Sequence, residues 1–144
     1  MICLGVDPGQ SRVGLALGQD SLSLAIESID AESALDRIAA LVSEKNAERI
    51  YVGLPLSLSG DQTASTKNAL DLAKAIAERI TIPVFVVDER LSTAQSLRLA
   101  RSSGKSAKES KSFIDAEAAR LIVESAISSD HKVGIELGDF LARH

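Results

Sequence analysis

Four acidic side chains stand where the chain changes its structural pattern. Asp7 follows an apolar run and precedes a Pro-Gly pair, Asp88 and Glu89 follow another apolar run, and Asp115 stands near the start of an amphipathic helical pattern. Three carboxylates gathered at one point would repel one another at neutral pH, and a divalent cation would relieve that repulsion. Two such ions about 4 Å apart would activate a water molecule and stabilise the leaving oxygen in phosphodiester hydrolysis. The residue types therefore predict a site for Mg²⁺ or Mn²⁺, provided that the fold brings three of them together.

Each carboxylate also has an ordinary structural interpretation. An Asp before Pro-Gly is a common turn former, and taken alone Asp7 fits that role best. Neighbouring residues at a strand end point to opposite sides, so one of Asp88 and Glu89 is expected to face solvent. Asp115 stands three residues after Ser112 in a capping-box pattern, which would stabilise a helix start by about 1 kcal/mol or less. None of the four carboxylates defines a site by itself.

Apolar periodicity predicts the strands that would position these residues. Alternation and short apolar runs indicate strands, and Pro8 and Pro55 end two of them. The run before Asp88 is apolar throughout, which is typical of a strand covered on both faces. The five predicted strands span residues 2–6, 13–17, 22–29, 49–54 and 82–87.

Helical periodicity and polar segments predict the remaining elements. Asp30 is the expected N-cap of the first helix, and Ser92 with Gln95 forms a capping-box pattern that opens a short helix through Arg101. The tail from residue 128 is expected to be a short helix or a frayed end. The predicted loops are 56–64 and the Ser- and Lys-rich 102–112. The predicted helices span residues 31–48, 65–80, 92–101 and a long segment that Ser112 introduces.

This order of elements predicts one α/β domain over residues 1–144. The first strands should form antiparallel hairpins and the later ones should pair in parallel, giving a mixed five-stranded sheet with helices on both faces. That outline is typical of a ribonuclease H-like domain, although a flavodoxin-like domain has a compatible order. In such sheets the functional crevice lies outside the carboxyl ends of the strands, where Asp7, Asp88 and Glu89 stand.

Composition narrows the classes of protein. The chain has 144 residues, a formal net charge of −4 and one cysteine, Cys3, which is expected in the core and excludes an internal disulfide or a cysteine-based zinc site. No apolar run approaches the roughly 20 residues of a membrane span, and the N-terminus lacks the pattern of a signal peptide. We therefore expect a cytoplasmic protein without a membrane partner. The acidic total argues against a nucleic-acid partner, which usually meets a basic protein.

The distribution of charge reverses that last inference. Residues 98–111, the basic window, carry five basic side chains against Glu109 alone, a net +4 that leaves −8 for the rest of the chain. A solvated basic loop would look the same, but the position between Glu89 and Asp115 favours contact with a phosphate backbone. Aromatic residues are only 3%, which disfavours base stacking as the main mode of binding. The candidate nucleic-acid contacts in the basic window are Arg98, Arg101, Lys105, Lys108 and Lys111.

Four segments together resemble one family. The similarity to the YqgF/RuvX family spans residues 2–126 and lies in LGVDPGQSRVGLAL, YVGLPLSLSGDQT, VVDERLSTAQ and FIDAEAARLIVE. Its most specific segments are VGLP and DERLST, since DPG is common elsewhere. Members of that family are described as Holliday-junction resolvases and as nucleases that mature the small-subunit ribosomal RNA precursor. The resemblance implies a ribonuclease H-like fold, a two-metal site and a structured RNA or branched DNA substrate.

The resemblance also implies roles for single residues. It favours Glu89 over Asp88 as the carboxylate that faces inward. It makes Arg12 and Arg90 candidates for phosphate contact, since a planar guanidinium can bind two phosphate oxygens; the alternatives are a surface position or a pairing with a carboxylate. The residues expected to shape the site are Thr93, Gly53 and Pro55. The implied catalytic ligands of Mg²⁺ or Mn²⁺ are Asp7, Glu89 and Asp115.

Three classes of function fit these features. The first is a metal-dependent endonuclease, with maturation of the 5′ end of pre-16S rRNA in ribosome biogenesis as the favoured reaction and Holliday-junction resolution in DNA repair as the alternative. The second is a nucleotide binder of the sugar-kinase/actin type, which DPGQSRVGLA also resembles but which needs two such domains. The third is a non-catalytic nucleic-acid or transcription adaptor, against which the three carboxylates argue. A resolvase makes two symmetric cuts and is expected as a homodimer, whereas an RNA-processing enzyme can work as a monomer.

Overall fold

The structure, a computed structural model, describes the backbone of residues 1–91 and 108–144 and the side chains of residues 1–91 and 114–144. Six strands of this part of the chain form one mixed sheet in the order β3-β2-β1-β4-β5-β6. Five strands are predicted, and the sixth is a two-residue strand near the C-terminus. The strands are β1 Ile2–Pro8, β2 Arg12–Gln19, β3 Leu22–Asp30, β4 Arg49–Leu54, β5 Val84–Asp88 and β6 Ile135–Glu136.

The pairing of the strands agrees with the predicted mixed sheet. Strands β1, β2 and β3 pair as antiparallel neighbours, whereas β4 is parallel to both β1 and β5. The short β6 pairs antiparallel with β5 at the sheet edge. Because β1, β4 and β5 run in one direction, their carboxyl ends meet at the same edge of the sheet. The fold thus brings the ends of β1 and β5, with Asp7 and Glu89, to one side of the molecule.

Helices cover both faces of the sheet, as predicted. The helices α1 (Ala31–Lys45) and α2 (Ala64–Arg79) pack on the face that carries Leu4 and Val6. A long helix, α3 (Lys108–Ser128), packs on the opposite face, which carries Cys3 and Tyr51. Burial raises the pKa of the Cys3 thiol to about 11, so that the thiolate is disfavoured and Cys3 is a core residue, as expected. None of the described helices is long and apolar enough to cross a membrane.

The helix α1 starts as predicted, with Asp30 in the N-cap position. Asp30 makes no capping hydrogen bond to α1; its carboxylate instead accepts a 3.3 Å hydrogen bond from Nη1 of Arg12. The cap of α2 is Thr63, which forms a reciprocal capping box with Thr66. Arg12 on the adjacent strand β2 therefore binds the Asp30 side chain, which does not cap α1.

The start of α3 is a larger correction, because it changes the setting of Asp115. The helix begins at Lys108, so residues 108–112 are helical and not part of a loop. Asp115 consequently lies well inside the helix, and the capping-box interpretation of Ser112 and Asp115 is wrong. The first turn of α3 is rich in lysine, glutamate and serine and has no apolar periodicity, so the sequence pattern did not indicate that it is helical. The predicted helix through Arg101 lies outside the described residues.

Glycines on three neighbouring strands allow α3 to approach the sheet closely. A β-carbon built on Gly5 of β1 would lie 2.3 Å from the Val123 side chain, and one on Gly18 of β2 would lie 2.5 Å from the same residue. A β-carbon on Gly53 of β4 would lie 2.4 Å from Cδ1 of Ile122. These distances are far below van der Waals contact, so a larger residue at these positions would force the side chains beneath the helix to shift, and at Gly5 it would also lie 2.8 Å from the Ala119 carbonyl oxygen. We call this surface the glycine floor; its fourth member, Gly14, is described with the site below.

The C-terminal segment, expected to be a short helix or a frayed end, is folded onto the sheet edge. After β6 a short helix, α4 (Leu137–Arg143), buries Leu137 and Phe140 in the core on the α1 and α2 side. His131, in the turn before β6, lies with Nδ1 2.7 Å from the hydroxyl of the fully buried Tyr51. The tail is therefore a structural part of the fold.

The contact between His131 and Tyr51 predicts a pH-dependent stability. Burial, and then the nearby Arg49, lower the pKa of His131 below its ordinary value of 6.5. The unfolded chain therefore binds a proton that the folded chain resists, so the free energy of unfolding falls as the pH drops from about 6.5 through the lowered pKa. We expect His131→Asn to show a smaller fall between pH 7 and pH 5 in urea unfolding. Asparagine is chosen because it tolerates the left-handed backbone at this position, where φ is 62°. Equal falls in both proteins would contradict the assignment.

Candidate active site

Asp7 lies at the carboxyl end of the central strand β1 and is only 1% exposed. It belongs to the strand itself, so the turn-former interpretation is wrong. Alternation along β1 places Asp7 on the same face as Cys3 and Gly5, the face that α3 covers. Its antiparallel partner in β2 is Gly14. On the other side Gly53 follows Val52, the β4 partner of Val6, and so lies beside Asp7.

Glu89, the first residue after β5, is fully buried and extends over Gly53. A β-carbon on Gly53 would lie 2.7 Å from Oε1 of Glu89, so the bare glycine backbone makes room for this carboxylate. Asp88 faces the other way, with its side chain 22% exposed and paired with Arg90. The prediction that Glu89 is the inward member of the pair is confirmed.

Asp115 reaches the site from α3 and is 4% exposed. Its backbone lies directly on Gly14, where a β-carbon would be only 1.9 Å from the Asp115 carbonyl oxygen. The Asp115 carboxylate accepts a 3.0 Å hydrogen bond at Oδ2 from the hydroxyl of Ser28 on β3. Nε of Arg12 stands 3.8 Å from the same oxygen. A glycine contact and a polar contact together hold Asp115 over the sheet.

The three carboxylates form a row on one face of the sheet. Gly14 of β2 and Gly53 of β4 lie on either side of Asp7. Asp115 packs on Gly14 and Glu89 extends over Gly53, so Asp7 lies between the other two carboxylates. In the described part of the chain, no three His, Cys, Asp or Glu side chains are close enough together to form a ready-made metal cage. Mg²⁺ is typically held by one or two carboxylates with substrate phosphate, and a row of hard oxygen donors suits that mode. The arrangement is suited to a cation shared between protein and substrate.

Arg12 binds a serine and two carboxylates of the protein. Nε donates to Oγ of Ser28 at 3.0 Å and Nη2 donates to the Ser28 carbonyl at 2.9 Å, while Nη1 reaches Asp30. With Nε also 3.8 Å from Asp115, the structure favours carboxylate pairing over the phosphate contact that the resemblance implies. The sequence did not point to Ser28, because a serine in an alternating strand looks like an ordinary solvent-facing residue.

Arg90 is also occupied within the protein. Nε contacts both carboxylate oxygens of Asp88, and Nη2 donates to Oδ2 at 2.6 Å. This hydrogen bonding raises the Arg90 pKa above its ordinary value. Nη1 lies 3.4 Å from the carbonyl oxygen of Leu58, so Arg90 also links the strand end to the loop between β4 and α2. For Arg90 too the structure shows the carboxylate pairing that the sequence left open.

The residues expected to shape the site divide into two groups. Gly53 lies beneath Glu89 and Ile122, and the Pro55 carbonyl accepts a hydrogen bond from the buried Thr66 hydroxyl, which fastens the end of β4 to α2. The remaining predicted site residues lie outside the described side chains: Thr93, Arg98, Arg101, Lys105, Lys108 and Lys111.

Comparisons with known proteins identify the family of this chain. The family model described as "RuvX: Holliday junction resolvase" matches residues 1–129. A protein of Clavibacter michiganensis subsp. michiganensis described as "Putative pre-16S rRNA nuclease" is 35% identical, covering 98% of this chain and 91% of its own. Proteins with the same description from Leifsonia xyli subsp. xyli and Methylobacillus flagellatus are each 39% identical, over 88% and 85% of this chain and 85% and 87% of their own.

The solved structures support the fold. Thermus thermophilus RuvC, solved in complex with a Holliday junction substrate, superposes with a TM-score of 0.62 at 16% identity and covers 94% of this chain and 99% of its own. A second structure of Thermus thermophilus RuvC gives a TM-score of 0.54 at 18% identity. At this identity the similarity bears on the fold, which is ribonuclease H-like.

The mixed sheet and the family match define an endonuclease of the ribonuclease H-like class. Within that class the chain belongs to the RuvX family.

Proposed function

We propose that this endonuclease is metal-dependent and matures the 5′ end of pre-16S rRNA, with Asp7, Glu89 and Asp115 as its catalytic residues. The observation that carries the site is the burial of three carboxylates in one row at the carboxyl ends of the central strands. Buried carboxylates are costly unless they are paired or bind a cation. The relatives described as pre-16S rRNA nucleases support this substrate. The proposed reaction takes place in the cytoplasm.

The donor set fits Mg²⁺ or Mn²⁺. All three side chains offer hard carboxylate oxygens, and Gly14 and Gly53 leave the space that larger residues would fill. The bound metal would polarise the scissile phosphate and activate water. The chain itself orients the ligands: β1 presents Asp7, the bare backbone of Gly53 seats Glu89, and α3 with Ser28 holds Asp115.

The basic window is proposed to hold the nucleic-acid backbone next to this row. In the sequence the basic window lies between Glu89 and Asp115, and its last residues, 108–111, belong to α3. Its net charge of +4 is therefore close in sequence to two of the three carboxylates. Contacts between basic side chains and phosphates are independent of sequence and weaken as salt rises. The proposal therefore assigns cleavage to the carboxylates and most of the affinity to the basic window.

A direct test compares two substrates at equal salt and Mg²⁺ concentration. We expect the protein to cut a pre-16S rRNA precursor at its 5′ side and to leave a four-way DNA junction of matched length uncut. Chelation of divalent cations with EDTA should stop the reaction, and added Mg²⁺ should restore it. Cleavage that persists in EDTA would contradict metal dependence, and cleavage of the junction alone would contradict the RNA substrate.

Resolution of Holliday junctions is the second candidate, and the description of the matching family model favours it. Two symmetric cuts need two sites related by a twofold axis, and therefore a dimer on the junction. The solution mass of the protein with and without a four-way junction separates the candidates. A stable monomer on the junction supports RNA processing, whereas a dimer that forms there supports resolution.

A further inference from the structure

Ser28 occupies a special place between a cation and a carboxylate. Its hydroxyl accepts from Nε of Arg12 at 3.0 Å and donates to Oδ2 of Asp115 at 3.0 Å. The direct separation of Arg12 Nε and Asp115 Oδ2 is 3.8 Å, about 1 Å longer than a charge-assisted hydrogen bond. The serine hydroxyl thus keeps the two charged groups apart while it binds both.

Other contacts fix the two ends of this chain of hydrogen bonds. Arg12 also donates to the Ser28 carbonyl at 2.9 Å and to Asp30 at 3.3 Å, so its guanidinium stays beside β3. Asp115 is held from the other direction by the contact of its backbone with Gly14. Ser28 is half-buried, and the side chain of Asp115 is nearly fully so. Arg12 and Asp115 would therefore be close enough to form a direct hydrogen bond if the hydroxyl were removed.

We propose that Ser28 is a positioning residue that keeps Asp115 available as a metal ligand, because it holds the ion pair with Arg12 at 3.8 Å and so prevents a direct hydrogen bond from the guanidinium. This inference rests on the proposed function, since it needs Asp115 to bind a divalent cation. A direct hydrogen bond from Arg12 would bring its positive charge onto a ligand oxygen and compete with the cation. Through Ser28, the carboxylate keeps a fixed orientation and a hydrogen bond to a neutral donor.

The test measures the binding of Mn²⁺ alone, by calorimetry without nucleic acid, to the full chain and its variants. We expect Ser28→Ala to raise the Kd for Mn²⁺ by about 10-fold or more, the range found when outer partners of metal ligands are removed. Ser28→Thr keeps the hydroxyl and should bind nearly as the unchanged protein does. The matched control is Ser23→Ala on the same strand, since the Ser23 hydroxyl accepts from Arg120 at 3.0 Å. This control loses an equivalent serine–arginine contact and should bind Mn²⁺ normally.

A double variant tests whether Ser28 acts as a spacer, which keeps Arg12 from bonding directly to Asp115, or only supports the Asp115 carboxylate. If Ser28 keeps Arg12 from bonding directly to Asp115, Arg12→Met should raise the affinity for Mn²⁺ more in the Ser28→Ala protein than in the unchanged protein, because only there does Arg12 compete at the ligand oxygen. An equal gain in the two proteins, or no gain in Ser28→Ala, would overturn the spacer role. Thermal melting of each variant shows whether the fold is intact.

Failure of the proposed function gives a different result. If the unchanged protein binds no Mn²⁺, or if Asp115→Asn binds it as tightly as the unchanged protein, the metal site itself is wrong. If Asp115→Asn weakens binding but Ser28→Ala does not, the metal site stands and the role of Ser28 is rejected.

Discussion

Asp7→Asn should lower the rate of phosphodiester cleavage by more than about 100-fold, the upper range for loss of an outer partner of a metal ligand. Asp7 lies in the middle of the carboxylate row, between the glycines that carry Glu89 and Asp115. Asparagine keeps the shape of the side chain but removes the charge that binds a cation. The measurement is single-turnover cleavage of the RNA precursor at saturating Mg²⁺.

The same substitution should leave the stability of the metal-free protein equal or higher. Three buried carboxylates on one face repel one another when no cation is bound, and Asp7→Asn removes the central charge. Thermal unfolding in EDTA should therefore show an unchanged or raised Tm together with lost activity. Functional sites commonly show such opposite changes in stability and activity, because a group that is needed for activity can destabilise the fold. A variant that loses activity and also unfolds at much lower temperature would point to a structural role for Asp7.

Asp88→Asn is the matched control, because Asp88 is a carboxylate at the same sheet edge that faces away from the row. It removes one charge of a partly exposed ion pair with Arg90, and such pairs contribute about 1 kcal/mol or less. We expect its cleavage rate to change by less than about tenfold. Equal losses in Asp7→Asn and Asp88→Asn would contradict the assignment of Asp7.

Gly14→Ala is the second substitution with a large expected effect, and it acts without touching a catalytic atom. The added methyl group would lie 1.9 Å from the Asp115 carbonyl oxygen and 2.4 Å from its carbonyl carbon, so it meets backbone and not a movable side chain. The helix α3 must shift away from β2, and Asp115 must shift with it. Overpacking of this kind costs about 1–3 kcal/mol or more, and a 1 Å displacement of a catalytic group can cost about 100-fold in rate.

Urea unfolding and single-turnover cleavage together test the effect of Gly14→Ala. The matched control is Gly138→Ala in α4, where the nearest atom to an added β-carbon is 4.0 Å away. Alanine at this helical position should be neutral or should stabilise the protein by up to about 1 kcal/mol. Normal stability and activity in Gly14→Ala would show that α3 does not rest on this part of the glycine floor.

Much of the fold could be predicted because local patterns and global pairing agree. The strand β4 is predicted at 49–54 and observed at Arg49–Leu54, since β-rich residues precede a proline that ends the strand. The apolar stripes predicted for α1 and α2 likewise correspond to the sides of these helices that are buried. The start of α3 and the two-residue β6 escaped prediction because neither carries a periodic pattern.

The inward position of Glu89 followed from strand alternation and the family resemblance, but the surroundings of the site did not. Whether Arg12 meets a phosphate or a carboxylate depends on the register between β2 and β3, which shifts between Leu15 and Ala16. No spacing in the sequence reveals that this register places Ser28 beside Arg12. The close approach of α3 depends on glycines from three strands being aligned in register. Single-residue patterns cannot show such an alignment.

The separation of the carboxylates along the chain has a consequence for synthesis. Domains fold as units while the chain emerges from its N-terminus, and contacts between distant segments form late. Asp7 is made among the first residues, whereas Asp115 follows after β5 has been completed. A growing chain that already contains β1 to β4 therefore lacks the other two members of the row. Under the proposed assignment of the catalytic residues, we therefore expect a chain that ends before Asp115 not to cleave RNA.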